Sequence, residues 1–262
     1  MGQRDRSDDG GRAAYPPPRA ACVAWLLARQ EGGAVLQNRT NALLGAIMIA
    51  LLPTILVLLT LRPVAARATA ADAGGALGVL MAIDLLVVGL LPVTLAVMAA
   101  GNAFAGEHEG GSLAPLLATP TANGAIFAGK ILGALLPTLL FAAAAQLGYA
   151  LAIAAFLGPA RLRLMPPGVA LAMLLLTPLV ALFGIAVASV ISSRVRTLQE
   201  AQQYGSLLLM PLWLGLIGLT AKLQSWGTPA LFAAVAGLAV LDVTLVALGA
   251  ATWRREEVMA RR

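Results

Sequence analysis

The chain predicts an all-α integral membrane protein: six transmembrane helices, preceded by a short interfacial or cytoplasmic helix, with both termini cytoplasmic. Three observations carry that fold class. Of the 262 residues, 60% are hydrophobic and only 11% are charged, against roughly 25% charged in an average soluble domain. The mean hydropathy is +0.86, and 12 acidic with 18 basic residues are too few to cover a water-facing surface. Finally, the apolar runs do not alternate, as the stretch 139–145 illustrates. Ten-residue alternating strands of a transmembrane barrel are therefore excluded.

Each span follows from a gap between charges. No charged residue lies between Arg39 and Arg62, Asp84 and Glu107, Lys130 and Arg161, Arg163 and Arg194, or Glu200 and Lys222. From Lys222 to Arg254 the only charge is Asp242. Each gap holds the roughly 20 residues that a helix needs to cross the hydrocarbon. Extending the second gap upstream past Asp84 places spans at about 41–61, 76–103, 131–158, 168–191, 205–221 and 230–252. Orientation follows from the flanking Lys and Arg. With the N-terminus inside, residues 1–40, Lys130, Arg194, Arg196 and the four arginines after 253 hold 13 of the 18 basic side chains. The outer segments hold only Arg62, Arg67, Arg161, Arg163 and Lys222. The net charge of +6 is thus a topological signal and argues against nucleic acid as a partner.

Residues 1–20 are polar, with Pro16-Pro17-Pro18, and read as a disordered cytoplasmic tail rather than a secretory signal peptide. Residues 21–40 predict a short connecting helix, weakened by Gly32-Gly33. The transmembrane domain covers 41–253, and residues 254–262 form a second cytoplasmic tail. One cysteine (Cys22) and one histidine (His108) exclude a disulfide framework and a multi-imidazole metal site.

The inner loops carry the remaining information. The segment Glu107-His108-Glu109-Gly110-Gly111-Ser112-Leu113-Ala114-Pro115-Leu116-Leu117-Ala118-Thr119-Pro120 opens with two carboxylates on an otherwise basic side. Its apolar stretch is too short to cross a bilayer. A small helix docked in a partner's groove and a solvated turn both fit it. The second inner loop, Ser192 to Tyr204, is polar, with Arg196 and Glu200 at helical i, i+4 spacing.

These residues resemble the membrane subunits of type-2 ABC (ATP-binding cassette) exporters. The first loop with Gly129-Lys130, the Ser-Ser-Arg-x-Arg-Thr-x-x-Glu-Ala-Gln-Gln stretch at 192–203, and Pro211 are similar to that family. So is an N-terminal helix with Arg29, Glu31 and Asn38-Arg39. The resemblance covers about 23–253. It implies a permease of the plasma (inner) membrane that pairs with a second copy or a paralogue. Two cytoplasmic ATPase subunits would bind the ATP and Mg, with no cofactor in this chain. It further implies that inner loops 104–128 and 192–204 transmit ATP-driven motion, through Glu107, Glu109, Gly111, Ser112, Leu113, Leu116, Leu117 and Pro120, with Arg194, Arg196 and Glu200 in the second loop. A leucine pair would anchor the loop in an apolar groove and the carboxylates would set its register.

Several patterns point elsewhere and fail. Gly124 to Lys130 matches G-x-x-x-x-G-K, but Ile131 stands where a Mg-binding hydroxyl is needed. No nucleotide site is expected, and Lys130 is expected to snorkel to the inner interface. His108-Glu109 begins H-E-x-x-H, but residue 112 is Ser. With the single His in a loop, no Ser-His-Asp set can form inside the membrane. The chain is accordingly read as a non-enzyme.

Asp84 and Asp242 are intramembrane carboxylates, and such groups are functional candidates. One reading puts them on the translocation path or makes them ion sites. The other makes them packing contacts bonded to Thr244, Gln146 or a neighbouring subunit. They also support an alternative function, a self-sufficient secondary transporter or channel coupled through both carboxylates. Spans one to five each hold one proline (Pro53, Pro92, Pro137, Pro178, Pro211), where helices commonly kink.

Overall fold

The computed structural model describes residues 20–37, 39–67, 73–101, 123–192, 198–222 and 226–252. Helix α1 spans Ala20–Gln37 and α2 spans Arg39–Leu56. A π-helical turn, Val57–Leu61, joins α2 to α3, Arg62–Arg67. Then follow α4 (Ala73–Leu90), α5 (Val93–Gly101) and α6 (Asn123–Phe156). A 3-10 helix at Pro159–Leu164 leads into α7 (Pro167–Ser192), α8 (Leu198–Ala221) and α9 (Thr228–Thr252). The described residues are helical, with no strand among them.

Four segments are long and apolar enough to cross a membrane: Leu43–Arg67, Gly124–Phe156, Pro167–Ile191 and Thr228–Ala251. Two shorter apolar helices, Gly75–Leu90 and Met210–Ala221, accompany them. The continuous helix expected over 76–103 is broken. Pro92 has no N–H to donate, and its ring disfavours a helical Leu91. The last regular bond before the turn runs from Leu91 N–H to the Val87 carbonyl (3.1 Å), and Thr94 caps the Leu91 carbonyl with its amide and its hydroxyl (3.2 and 2.8 Å). The other four span prolines lie inside continuous helices.

Helix α7 is the hub. About 56% of its spanning window is buried, against 18% for the first span and 17% for the last. It packs on α4, α5, α6, α8 and α9. Its buried side includes Ala172, Ala181, Ala186 and Ala188, small residues that let helix backbones come close. The outward faces are apolar: Leu59, Leu151 and Val243 are each about 70% exposed (72, 70 and 69%). Such surface is a liability in water and costs nothing against lipid tails.

Two glycines explain how the N-terminal segments sit on α6. Gly32, which weakens α1 by propensity, faces the Gly133 carbonyl; a Cβ there would stand 3.3 Å from that oxygen. On the other side, a Cβ on Gly129 would meet Leu27 Cβ at 2.8 Å and the Ala24 carbonyl at 2.9 Å. Helix α1 is continuous all the same, and the glycines are what let it pass close to α6. Further along, Pro53 cannot donate to the Ile49 carbonyl, and Gly148 of α6 abuts that oxygen. A Cβ on Gly148 would lie 2.7 Å from it. Gly148→Ala is therefore expected to push α2 and α6 apart and cost about 1–3 kcal/mol. The drop shows as a lower Tm in detergent, with Gly215→Ala as control, since nothing lies within 4 Å of a Cβ there. Equal Tm values for the two variants would contradict the packing.

Candidate functional site

The loop residues singled out from the sequence (Glu107, Glu109, Gly111, Ser112, Leu113, Leu116, Leu117, Pro120, Arg194 and Arg196) lie outside the described residues. Glu200 is described: it is exposed in the first turn of α8, where a carboxylate complements the helix dipole. The described helix ends that flank the two loops lie at one end of the bundle, where Phe127 and Ser189 both approach Gly249. Residues 102–122 connect α5 to α6, and 193–197 connect α7 to α8. The 124–130 stretch is regular helix in α6, whereas a phosphate cradle requires a loop. Lys130 does not reach an interface as expected. It is buried (1% exposed), because α6 starts at Asn123, before Lys130, and α1 packs across that end of the helix.

Asp84, on α4, is buried at 4% exposure. Its Oδ2 lies 2.5 Å from Thr60 Oγ1 and 3.4 Å from the Tyr149 hydroxyl. Thr60 sits in the π turn, and Tyr149 is a fully buried side chain of α6 whose hydroxyl also lies 3.3 Å from the Met81 carbonyl. The cluster therefore ties the π turn after α2 to α4 and α6. Neither expected partner is involved. Gln146 donates instead to Thr177 Oγ1 (2.8 Å) on α7, and Thr244 to its own Leu241 carbonyl (2.7 Å). Gly89 of α4 abuts the Gln146–Thr177 bridge, where any side chain would collide with both polar groups. Two polar layers thus cross the helix bundle near each other. Sequence reasoning missed Thr60 and Tyr149. The charge gap ends span one at Arg62, yet the helix continues to Arg67, so Thr60 is deeper than the gap implies.

Asp242, on α9, is 1% exposed, and neither carboxyl oxygen has a hydrogen-bond partner. Its depth follows from two contacts between α7 and α9. Gly168 faces Thr228 at the start of both helices, and Ser189 faces Gly249 near their ends. The helices run in parallel at a constant offset, which puts Asp242 level with Leu182 of α7. Helix α7 contributes no titratable side chain. The Trp213 Nε1 on α8 is likewise buried without an acceptor. Thr220 of α8 faces Met173 Sδ (4.0 Å) of α7, so Trp213, two turns deeper, lies level with Val180. An unpaired donor and an unpaired carboxyl thus flank the hub helix at matching depth. No group of three or more metal-ligating residues occurs among the described residues.

A bundle of long apolar helices with polar side chains buried between them defines the class as a multi-pass helical membrane protein. A family model described as "ABC-2 family transporter protein" matches residues 28–229. The chain belongs to that family and is a membrane (permease) subunit of a type-2 ABC transporter. A search of curated proteins gave no match.

Proposed function

We propose that the chain is the permease of an ABC-type exporter, lines the translocation path as a homodimer or with a paralogue, and is driven by separate cytoplasmic ATPase subunits. The observation that supports this reading best is the family match across residues 28–229, which includes both inner segments. Inner loops 104–128 and 192–204 are the coupling elements. Glu107, Glu109, Gly111, Ser112, Leu113, Leu116, Leu117, Pro120, Arg194, Arg196 and Glu200 contact the ATPase or set the loop's shape. ATP binding at the partner moves these loops and tilts the spans, so that the path opens to alternate sides. Both termini face the cytoplasm. Asp84 and Asp242 supply polar positions along an otherwise apolar route.

Reconstitution tests the proposal. Proteoliposomes containing the permease and its ATPase are expected to transport only with hydrolysable ATP, while the permease alone transports nothing. Full transport by the isolated chain under an ion gradient would favour the self-sufficient transporter coupled through Asp84 and Asp242 instead.

A further inference from the structure

The hydrogen-bond geometry points to a proton on Asp84: we infer that its side chain is a carboxylic acid donating to Thr60 Oγ1, making the junction of the π turn, α4 and α6 a proton-holding site. A count of donors leads there. Thr60 Oγ1 is 2.6 Å from the Leu56 carbonyl and 2.5 Å from Asp84 Oδ2. A hydroxyl has one proton, and two oxygens at either distance repel unless a proton lies between them. The other threonines show where that proton goes. Thr54, Thr138, Thr177 and Thr220 each donate to the carbonyl four residues back, at 3.0, 2.9, 3.1 and 2.7 Å. Thr60 makes the same bond at 2.6 Å.

Thr177 is the internal precedent. Its oxygen accepts from Gln146 Nε2 (2.8 Å) while its proton serves the Met173 carbonyl. At Thr60 the oxygen that accepts is the same, but the group facing it is a carboxyl. Only a protonated Asp84 can donate into that lone pair. Tyr149, with its hydroxyl 3.3 Å from the Met81 carbonyl, does not relieve the count at Thr60.

Among the described residues, no charged side chain is seen facing Asp84 that would replace the proton. Among the titratable groups on elements packed against α4, Tyr149 alone faces the carboxyl. Helix α7 has none. Lys130 lies 19 residues before Tyr149 on α6, roughly 28 Å along the helix. Glu200 and Tyr204 are exposed on the first two turns of α8, Arg62 and Arg67 are exposed on α3, and Arg161 and Arg163 belong to the 3-10 helix. Asp84 itself is 4% exposed.

Infrared spectroscopy of the full chain in lipid vesicles at neutral pH reads the proton directly and involves no transport, so its failure is separate from failure of the permease reading. An Asp242→Asn background removes the other intramembrane carboxyl. In that background a carboxylic-acid carbonyl band, shifting on H/D exchange, is expected and should vanish in Asp84→Asn. Thr60→Val, which removes the acceptor, should keep the band but move it to higher frequency. It also serves if Asp84→Asn does not fold. Loss of a carboxylate band instead, or a Thr60→Val spectrum with the carbonyl band unmoved, would overturn the inference.

Discussion

Replacing Glu107 and Glu109 together by alanine is expected to lower ATP-dependent transport at least about tenfold, while the ATPase subunit alone hydrolyses ATP as before. The two carboxylates stand in a connecting segment with no Lys or Arg before Lys130, which the proposed topology puts on the side that carries most of the basic residues. In the proposed assembly they would set the register of the loop against the ATPase. Close charge pairs at interfaces couple by about 1.5–7 kcal/mol, and 1.4 kcal/mol is already tenfold. Transport and permease-stimulated hydrolysis, measured side by side in proteoliposomes, separate coupling from folding. Stimulation that survives with transport intact would remove these residues from the contact. Leu116→Ala with Leu117→Ala is expected to weaken assembly instead, through the apolar anchor.

Asp242→Leu is expected to raise the thermal stability of the isolated permease, by about 1–3 kcal/mol, the usual cost of an unsatisfied buried polar group. Leucine keeps the branching of the carboxyl and removes two oxygens that bond to nothing in this packing. If Asp242 belongs to the translocation path, the same substitution reduces transport, an exchange of function for stability familiar at strained functional sites. Asp84→Leu gives the opposite stability result, because it strips the Tyr149 hydroxyl and Thr60 Oγ1 of a partner. A lower Tm for Asp242→Leu would show that the carboxyl is bonded within the bundle. The two acids look alike in sequence and differ in the structure only by their surroundings.

Much of the architecture was legible because the penalty for placing a charge in lipid is local to each residue. The gaps predicted 131–158, 168–191 and 230–252, and the helices run Asn123–Phe156, Pro167–Ser192 and Thr228–Thr252. The extra eight residues at the start of α6 escaped because Lys130 looks like a boundary and is in fact buried within a helix. In sequence Pro92 is one of five similar prolines, yet among the described helices it alone marks a break, between Leu90 and Val93. What distinguishes it is the Thr94 cap that rewards the break, a detail of geometry rather than composition. The candidate site was half legible: Asp84 and Asp242 stand out as charges in apolar runs, but Thr60 and Tyr149 are ordinary residues until three helices meet.

The sequence by itself determined the class of protein and its family, since hydropathy, charge and motif spacing are read along the chain. Only the tertiary structure decided which acid is bonded and which is orphaned, why Gly32, Gly129 and Gly148 are glycine, and that α7 is the hub. Hydrogen bonds, close approach and burial depend on what another helix presents at the same depth, and that information is distributed over residues dozens of positions apart.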